Sequence, residues 1–496
     1  MMPARGVVAQ SMPLSELLAR SDCCGGDTPI QGLQLDSRKV QSGDLFLAVP
    51  GELHDGRQFI EQAVANGAVA VLAEAPVAGF VDALPVPLVE IPELRFDVGA
   101  LAARFFRHPS RDLHVVGVTG TNGKTTTTSL IAQLGRSQGQ SCGVIGTLGA
   151  LLDDSVADSV NTTPDPVSLQ RQLAQWRDQG VSTVSIEVSS HALVQGRVSG
   201  VEFKTAIYTN LSHDHLDYHG SMDAYARAKM QLFSSAGLLH AVVNLDDEYA
   251  PEVLAAVPEG VSILTYSTSR DEADIRVKNT RYNAAGVAGE LQTPWGSGRF
   301  SSPLPGEYNL ANLAAAVTAV VLAGEDLLAV LAAVSRLRPV PGRMQLIPNA
   351  LGLQVVVDYA HTPDALEQVL SALKNHVSGR LVTVFGCGGD RDRAKRQVMG
   401  RVASKFSDRV VVTSDNPRSE DPAIILADIT SGCSGNFALV ADRSQAIAMA
   451  IAEASPGDCV VIAGKGHENY QIIEGVRHHF SDEEQALKAL SQRASS

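Results

Sequence analysis

Short runs of β-branched and aliphatic residues recur along the chain, separated by stretches with helical spacing. Up to about residue 91, DLFLAV and AVAVLA read as strands, and a helix is predicted from near His54 through IEQAVANGA. A second block opens on the helical ALAARFFR and closes around RPVPGRM, with VVGV, VSTVSIEVSS and AVVNL as strands and helical patterns between several of them. The third block repeats the alternation: VVVDYA, a helix from Asp364, LVTVFG, a helix after Arg393, RVVVTS, another helix, then CVVIAG. Strands alternating with helices predict parallel α/β sheets. The Val-rich runs of the third block suit a sheet covered on both faces. The most apolar long stretch, LAAAVTAVVLAGEDLLAVLAAV, is broken by Gly324, Glu325 and Asp326. Two core helices joined by a turn fit it better than a membrane span.

With 496 residues the chain is too long for one core, and the blocks divide it at 1–91, 92–341 and 342–496. Its formal net charge is −14, a poor basis for gripping nucleic acid. An anionic ligand must therefore be met by local positive groups. Cys23, Cys24, Cys142, Cys387, Cys433 and Cys459 show no metal-binding spacing, and vicinal Cys23 and Cys24 make a poor disulfide. They read as small core or loop residues in a reducing compartment. The N-terminal segment has only VVA as an apolar run, so no signal peptide is read there and a cytoplasmic protein is expected.

HVVGVTGTNGKTTTTSL reads as a strand, a tight turn and a helix from near Lys124. Backbone N–H groups of such a turn and the helix N-terminus form an anion nest, and Lys124 reaches a terminal phosphate. Thr125 or Thr126 would place a hydroxyl on Mg²⁺. The spacing departs from the standard phosphate loop, which needs glycine where Val118 stands. In VSTVSIEVSSHALVQGR, alternation sets Ser185, Glu187 and Ser189 on one face, with Glu187 at the strand's end and free to hold a hard cation. NLSHDHLDYHG carries His213, His215 and His219, which taken alone suggest zinc, but no cysteine joins them. GCGGDR has Arg391 where a dinucleotide fingerprint wants its third glycine, which argues against an NAD site.

GTNGKTT closely resembles the phosphate loop of the Mur ligases, the ATP-dependent amide-forming enzymes of peptidoglycan precursor synthesis, and motifs in all three blocks extend the likeness. The resemblance implies three α/β domains: a uridine-nucleotide-binding domain, a central P-loop ATPase-like parallel-sheet domain and a C-terminal Rossmann-like domain. It implies ATP contacts from Gly120, Thr121, Asn122, Gly123, Lys124, Thr125 and Thr126. Asn309 would face the adenine, Arg343 the phosphates and Asp358 the ribose. NLSHDHLDYHG and AKMQLF look like the segments holding the second metal, which makes Glu187 and His215 ligands and Lys229 carbamylated. CO₂ addition turns a donor-only ammonium into an anionic oxygen ligand. Leu35 and Ser37 in LDSRKVQSGDLFLAVPG match positions near the uracil and diphosphate. Asn161, Thr162 and Thr163, with Ser189, Gln195 and Arg197, would complete the site for the UDP-MurNAc-dipeptide.

TSDNPRSED places Arg418 among Asp415, Glu420 and Asp421. A ligand with a free amine and several carboxylates needs both signs of charge in one pocket. Arg418 can hold a carboxylate bidentately while Asp415 and Asn416 accept from an ammonium, on a turn fixed by Pro417. DNPR resembles the signature of the branch that adds meso-diaminopimelate, and Arg391, Gly464 and Glu468 match the rest of that pocket. The implied reaction joins meso-diaminopimelate to the D-Glu side chain of UDP-MurNAc-L-Ala-D-Glu, with Lys124, Glu187, His215 and Lys229 in the catalytic centre; the alternative is the L-lysine-adding ligase or another Mur-like ligase such as folylpolyglutamate synthetase. The implied partners are three small molecules, with Mg²⁺ as cofactor, and a monomer with no nucleic-acid or membrane partner is expected.

Overall fold

A computed structural model describes residues 11–20, 25–51, 54–80, 84–153, 155–157, 161–283, 286–374 and 377–495. Cys23, Cys24 and the VVA run lie outside them. Three sheets organise the chain. The first has four parallel strands in sequence order: Gly32–Gln34, Asp44–Ala48, Ala70–Glu74 and Leu88–Ile91. Helix Leu94–Phe105, which the sequence pattern placed at the start of the second block, buries Leu94, Val98, Leu101 and Phe105 in the core of this first sheet. Val167 and Ala174 of helix Pro166–Asp178 close the same cluster, so the helix binds the two blocks together.

The central sheet has eleven strands. At its middle His114–Thr119 lies between Thr183–Glu187 and Thr205–Tyr208, all parallel. Apolar residues fill both faces: Val116 and Val118 pack with Leu310, Leu313 and Val317 of helix Glu307–Leu322, while Val115 packs with Val184 and Ile186 on the other side. The chain leaves His114–Thr119 for Cys142–Gly146 on one flank and later returns as Thr205–Tyr208 on the other. Such a reversal opens a crevice beyond the strand's carboxyl end. The expected parallel sheet holds for this core, whereas its edges are antiparallel. Gly149–Leu152 and Ser155–Ala157 extend one side, and Ile275–Asn283, Gly286–Thr293 and Gly296–Ser302 form a meander on the other. The apolar stretch from Leu313 divides as its breakers dictate, into helices Glu307–Leu322 and Leu327–Ala333. Asp326 caps the second by accepting from Ala329 N–H. Among the described residues no helix is long and apolar enough to cross a membrane.

The third sheet runs Gln345–Leu346, Gln354–Asp358, Cys459–Ala463, Leu381–Phe385, Arg409–Val412, Phe437–Leu439, parallel except at its first strand. Apart from it stands a hairpin, Tyr470–Ile473 with Val476–His479. The four described cysteines are free, and Cys142, Cys387 and Cys459 are buried.

Candidate active site

The turn after His114–Thr119 needs glycine at two points. Gly120 has φ 150° and Gly123 φ 87°, and a Cβ on Gly123 would sit 2.4 Å from Asn312 Oδ1. Thr121 N–H donates to Asn210 O and Asn122 N–H to Asn210 Oδ1. With those two groups spent inside the protein, the anion-facing part of the nest is the N-terminus of helix Lys124–Ser137. Lys124 Nζ turns back to the carbonyls of Gly120 and Thr121, at 2.8 and 2.9 Å. Burial lowers its pKa, against the pull of Glu187.

Glu187 lies buried at the end of Thr183–Glu187, as strand alternation required. Its carboxylate accepts from Thr125 Oγ1 at 2.9 Å, Thr147 N–H at 2.8 Å and Thr147 Oγ1 at 3.1 Å, all neutral donors. Arg343 comes from the linker into the third block and donates to Thr125 Oγ1 at 3.1 Å. Thr126 is buried in the same first helical turn.

Lys229 is buried on helix Met222–Met230, 2.8 Å from Gly120 O and 4.4 Å above the Tyr225 ring. Burial, reinforced by the charge of Lys124, holds its pKa well below the usual range. A larger neutral fraction follows, and the neutral amine is the form that adds CO₂. His215 is brought to about 4, by burial first, and stays a neutral imidazole. It meets His191 edge-on, and His219 stacks on Tyr225 while its Nε2 lies 2.9 Å from Ser190 Oγ. Two of the three histidines thus belong to one aromatic cluster.

A cavity of about 660 Å³ joins Lys124, Thr125, Glu187 and His215 to the third block. Asn309, Arg343, Asp358 and Ser189 line it beside Thr121–Thr126. Asn309 is already engaged, donating to Pro305 O and accepting from Asn312. The carboxylate of Asp358 accepts from Met344 N–H and Ala360 N–H, and burial pushes its pKa up. Asn122 Nδ2 crosses the block boundary to Asp364 Oδ2 at 2.9 Å.

A second cavity, of about 1070 Å³, is lined by Asn161 and Thr162 on one side and by Arg391, Asp415, Asn416, Arg418, Gly464 and Glu468 on the other. It shares Thr147, Thr162, Asp214, His215, Tyr359 and His361 with the first. Arg418 donates to Gly389 O at 2.7 Å and has no carboxylate partner among the described residues. Asn416 Oδ1 accepts from Ile472 N–H at 3.0 Å and from Lys465 Nζ at 3.3 Å. Lys465, fully buried, pairs with Glu468 at 3.2 Å and Asp415 at 3.8 Å. Burial raises the pKa of Glu468, and Asp415 adds to the rise. Pro417 is buried behind the loop and lines neither cavity.

Gly120, Lys229, Leu35, Ser37, Thr163, Gln195 and Arg197, all assigned to the site in the sequence, also stand away from both cavities. Leu35 packs in the core of the first sheet and Ser37 Oγ donates to Gln62 Oε1. Thr163 Oγ1 donates to Glu187 O, which braces the strand end. Arg197 folds back on Gln195 Oε1 and Thr163 O. Sequence reasoning missed Lys465, although it picked out its neighbours Gly464 and Glu468, because a lysine's burial leaves no mark on local pattern.

Three family models match the chain in order: Mur ligase family, catalytic domain, over residues 29–105; Mur ligase middle domain over 118–320; and Mur ligase, glutamate ligase domain, over 342–466. A protein of Pseudomonas aeruginosa named UDP-N-acetylmuramoyl-L-alanyl-D-glutamate–2,6-diaminopimelate ligase is 46% identical over 97% of this chain and 98% of its own. The chain belongs to the Mur ligase family. A relative of the same name from Ectopseudomonas mendocina is 48% identical to this ligase over 97% of the chain and 98% of the relative. A solved structure of that name is 41% identical and superposes with a TM-score of 0.72, covering 98% of the ligase and 100% of its own chain.

Proposed function

We propose that this Mur ligase uses ATP to join meso-diaminopimelate to the D-Glu side-chain carboxylate of UDP-MurNAc-L-Ala-D-Glu, as its namesake relatives suggest. The observation that carries the reading is the Arg418 guanidinium, free of any carboxylate partner among the described residues, in a cavity that also holds Asp415 and Glu468. That cavity shares Thr147, Thr162, Asp214 and His215 with the one lined by the phosphate loop, where an acyl phosphate would form. The ligase is read as a cytoplasmic monomer, divided at 1–91, 92–341 and 342–496.

Lys124 would leave the carbonyls of Gly120 and Thr121 for the phosphates of ATP, cradled by Gly120, Thr121, Asn122, Gly123, Thr125 and Thr126. Arg343 sits beside Thr125 to meet the same phosphates, while Asn309 and Asp358 would flank the nucleoside. The D-Glu carboxylate attacks the γ-phosphorus, ADP leaves, and a good electrophile results. The amine of diaminopimelate then displaces phosphate through a tetrahedral intermediate. Leu35, Ser37, Asn161, Thr162, Thr163, Ser189, Gln195 and Arg197 are assigned to the nucleotide-dipeptide. Arg391, Asp415, Asn416, Pro417, Arg418, Gly464 and Glu468 are assigned to diaminopimelate. Holding both substrates in register supplies much of the rate.

A divalent cation fits the residues present. Glu187 is a buried carboxylate that receives only neutral donors, an arrangement that a hard cation would complete. Thr125, Glu187, His215 and carbamylated Lys229 would hold Mg²⁺, which when bound neutralises charge on the phosphoryl oxygens.

The test is phosphate release from ATP in the presence of UDP-MurNAc-L-Ala-D-Glu with meso-diaminopimelate, L-lysine or no amino acid. Release only with meso-diaminopimelate is expected. Release with lysine would keep the ligase and overturn the role of Arg418, and release indifferent to amino acid would overturn the reading.

A further inference from the structure

The second cavity holds another guanidinium without a carboxylate. Arg477, on the hairpin strand Val476–His479, lines it together with Arg418 and makes no ion pair among the described residues. Its guanidinium carbon lies 3.8 Å from the centre of the Tyr470 ring, and Tyr470 lines the cavity too. Stacking on an aromatic face fixes a guanidinium's plane and leaves its N–H edge for a ligand.

The hairpin is fastened to the loop that carries Arg418. Arg418 N–H donates to Ile472 O at 2.9 Å, and Glu474 N–H donates to Arg418 O at 2.8 Å. Ile472 N–H also reaches Asn416 Oδ1 at 3.0 Å, and Gln471 Nε2 reaches Asp415 O at 2.8 Å. These four bonds make the hairpin and the Asp415–Arg418 loop one unit. Arg418, Tyr470 and Arg477 line the same cavity. Two guanidiniums in one cavity, neither ion-paired among the described residues, favour a ligand that brings a carboxylate to them.

We infer that Arg477 is a second specificity-determining residue for the incoming amino acid, its stacked guanidinium joining Arg418 on the carboxylate of meso-diaminopimelate that L-lysine lacks. The inference rests on the proposed function and adds Arg477, a residue that none of the motifs read in the sequence includes.

Arg477→Ala and Arg477→Lys are compared with the parent enzyme by phosphate release. Meso-diaminopimelate, ATP and UDP-MurNAc-L-Ala-D-Glu are varied in turn, and L-lysine serves as a competitor of meso-diaminopimelate. Losing one charge-assisted contact should raise KM for meso-diaminopimelate roughly ten- to a hundred-fold in Arg477→Ala. Arg477→Lys should fall between, because a point charge replaces the fork. KM for ATP and the inhibition constant of L-lysine should hold. An unchanged KM for meso-diaminopimelate would overturn the inference. So would an equal weakening of lysine, which would put Arg477 on the end that both amino acids share, or a rise confined to the nucleotide-dipeptide. A parent enzyme indifferent to meso-diaminopimelate would instead sink the functional reading on which the inference stands.

Discussion

Glu420 gives its carboxylate to Arg396, 2.7 Å away, and not to Arg418 two positions before it. Arg396 is fully buried and also meets Asp428 at 2.9 Å. The other acids around Arg418 are occupied as well. Asp421 caps helix Pro422–Thr430 by accepting from Ala423 N–H, and Asp415 lies 3.8 Å from Lys465. An arginine surrounded by acids in sequence is thus left without one in space, and its charge is available to a ligand.

If Arg418 is so reserved, Arg418→Ala should raise KM for meso-diaminopimelate by about ten- to a hundred-fold and leave KM for ATP within a factor of about two. Steady-state phosphate release with each substrate varied separately measures both. Equal loss for ATP and amino acid would show that the Arg418 side chain supports the fold through its bond to Gly389 O.

Glu420 also accepts from Asp390 N–H at 2.6 Å, while Ser419 donates to Asp390 through Oγ and N–H. Arg396 and Glu420 therefore clamp the loop of Arg391 to the loop of Arg418. Glu420→Gln removes the charge and leaves Asp428 as the only carboxylate on a buried guanidinium, at a cost of about 1–3 kcal/mol. The urea midpoint should fall, and KM for meso-diaminopimelate should rise more than KM for ATP. A stable variant with unaltered kinetics would remove the clamp from the account.

Glu187→Gln keeps an acceptor for Thr147 N–H and loses the buried charge. If that carboxylate holds a cation, kcat should drop about a hundred-fold or more, and the Mg²⁺ concentration for half activity should rise. The thermal midpoint should stay level or increase, because a buried carboxylate charge met only by neutral hydrogen-bond donors is gone. Full kcat in the variant would make Glu187 no more than a buried acceptor.

The parts of this molecule that follow from local pattern were legible. Val-rich strands, the breakers at Gly324–Asp326 and the turn at Gly120 and Gly123 each encode their own geometry, and the structure has them. The meander Ile275–Ser302 was not, since RVKNTRYN and GSGRFSS lack clean alternation and are held by pairing to one another. Within the site, Glu187 could be placed by counting along one strand. The partners of Asn416 and Glu420, and Asp415 beside Lys465, come from distant segments, and only the folded chain decides them. Arg477 hides for the same reason, as its partner ring is seven positions back across a hairpin.

His114 opens the central strand with its Nε2 3.5 Å from Thr205 Oγ1. Burial first, then the charges of His240 and Lys204, brings its pKa to about 4 from an ordinary 6.5. The unfolded chain therefore binds the proton more readily than the folded one. The stability tied to a neutral His114 is fully present above pH 6.5 and is lost as pH falls through about 4. His215 and His467 are also brought to about 4, so the parent protein should lose stability steeply across that window. His114→Gln removes one of these groups, and its slope of stability against pH should be shallower by up to about one proton. Urea unfolding from pH 7.5 to 4.5 on parent and variant gives the two slopes. Identical slopes would mean that His114 takes up its proton in the folded protein as readily as in the unfolded one.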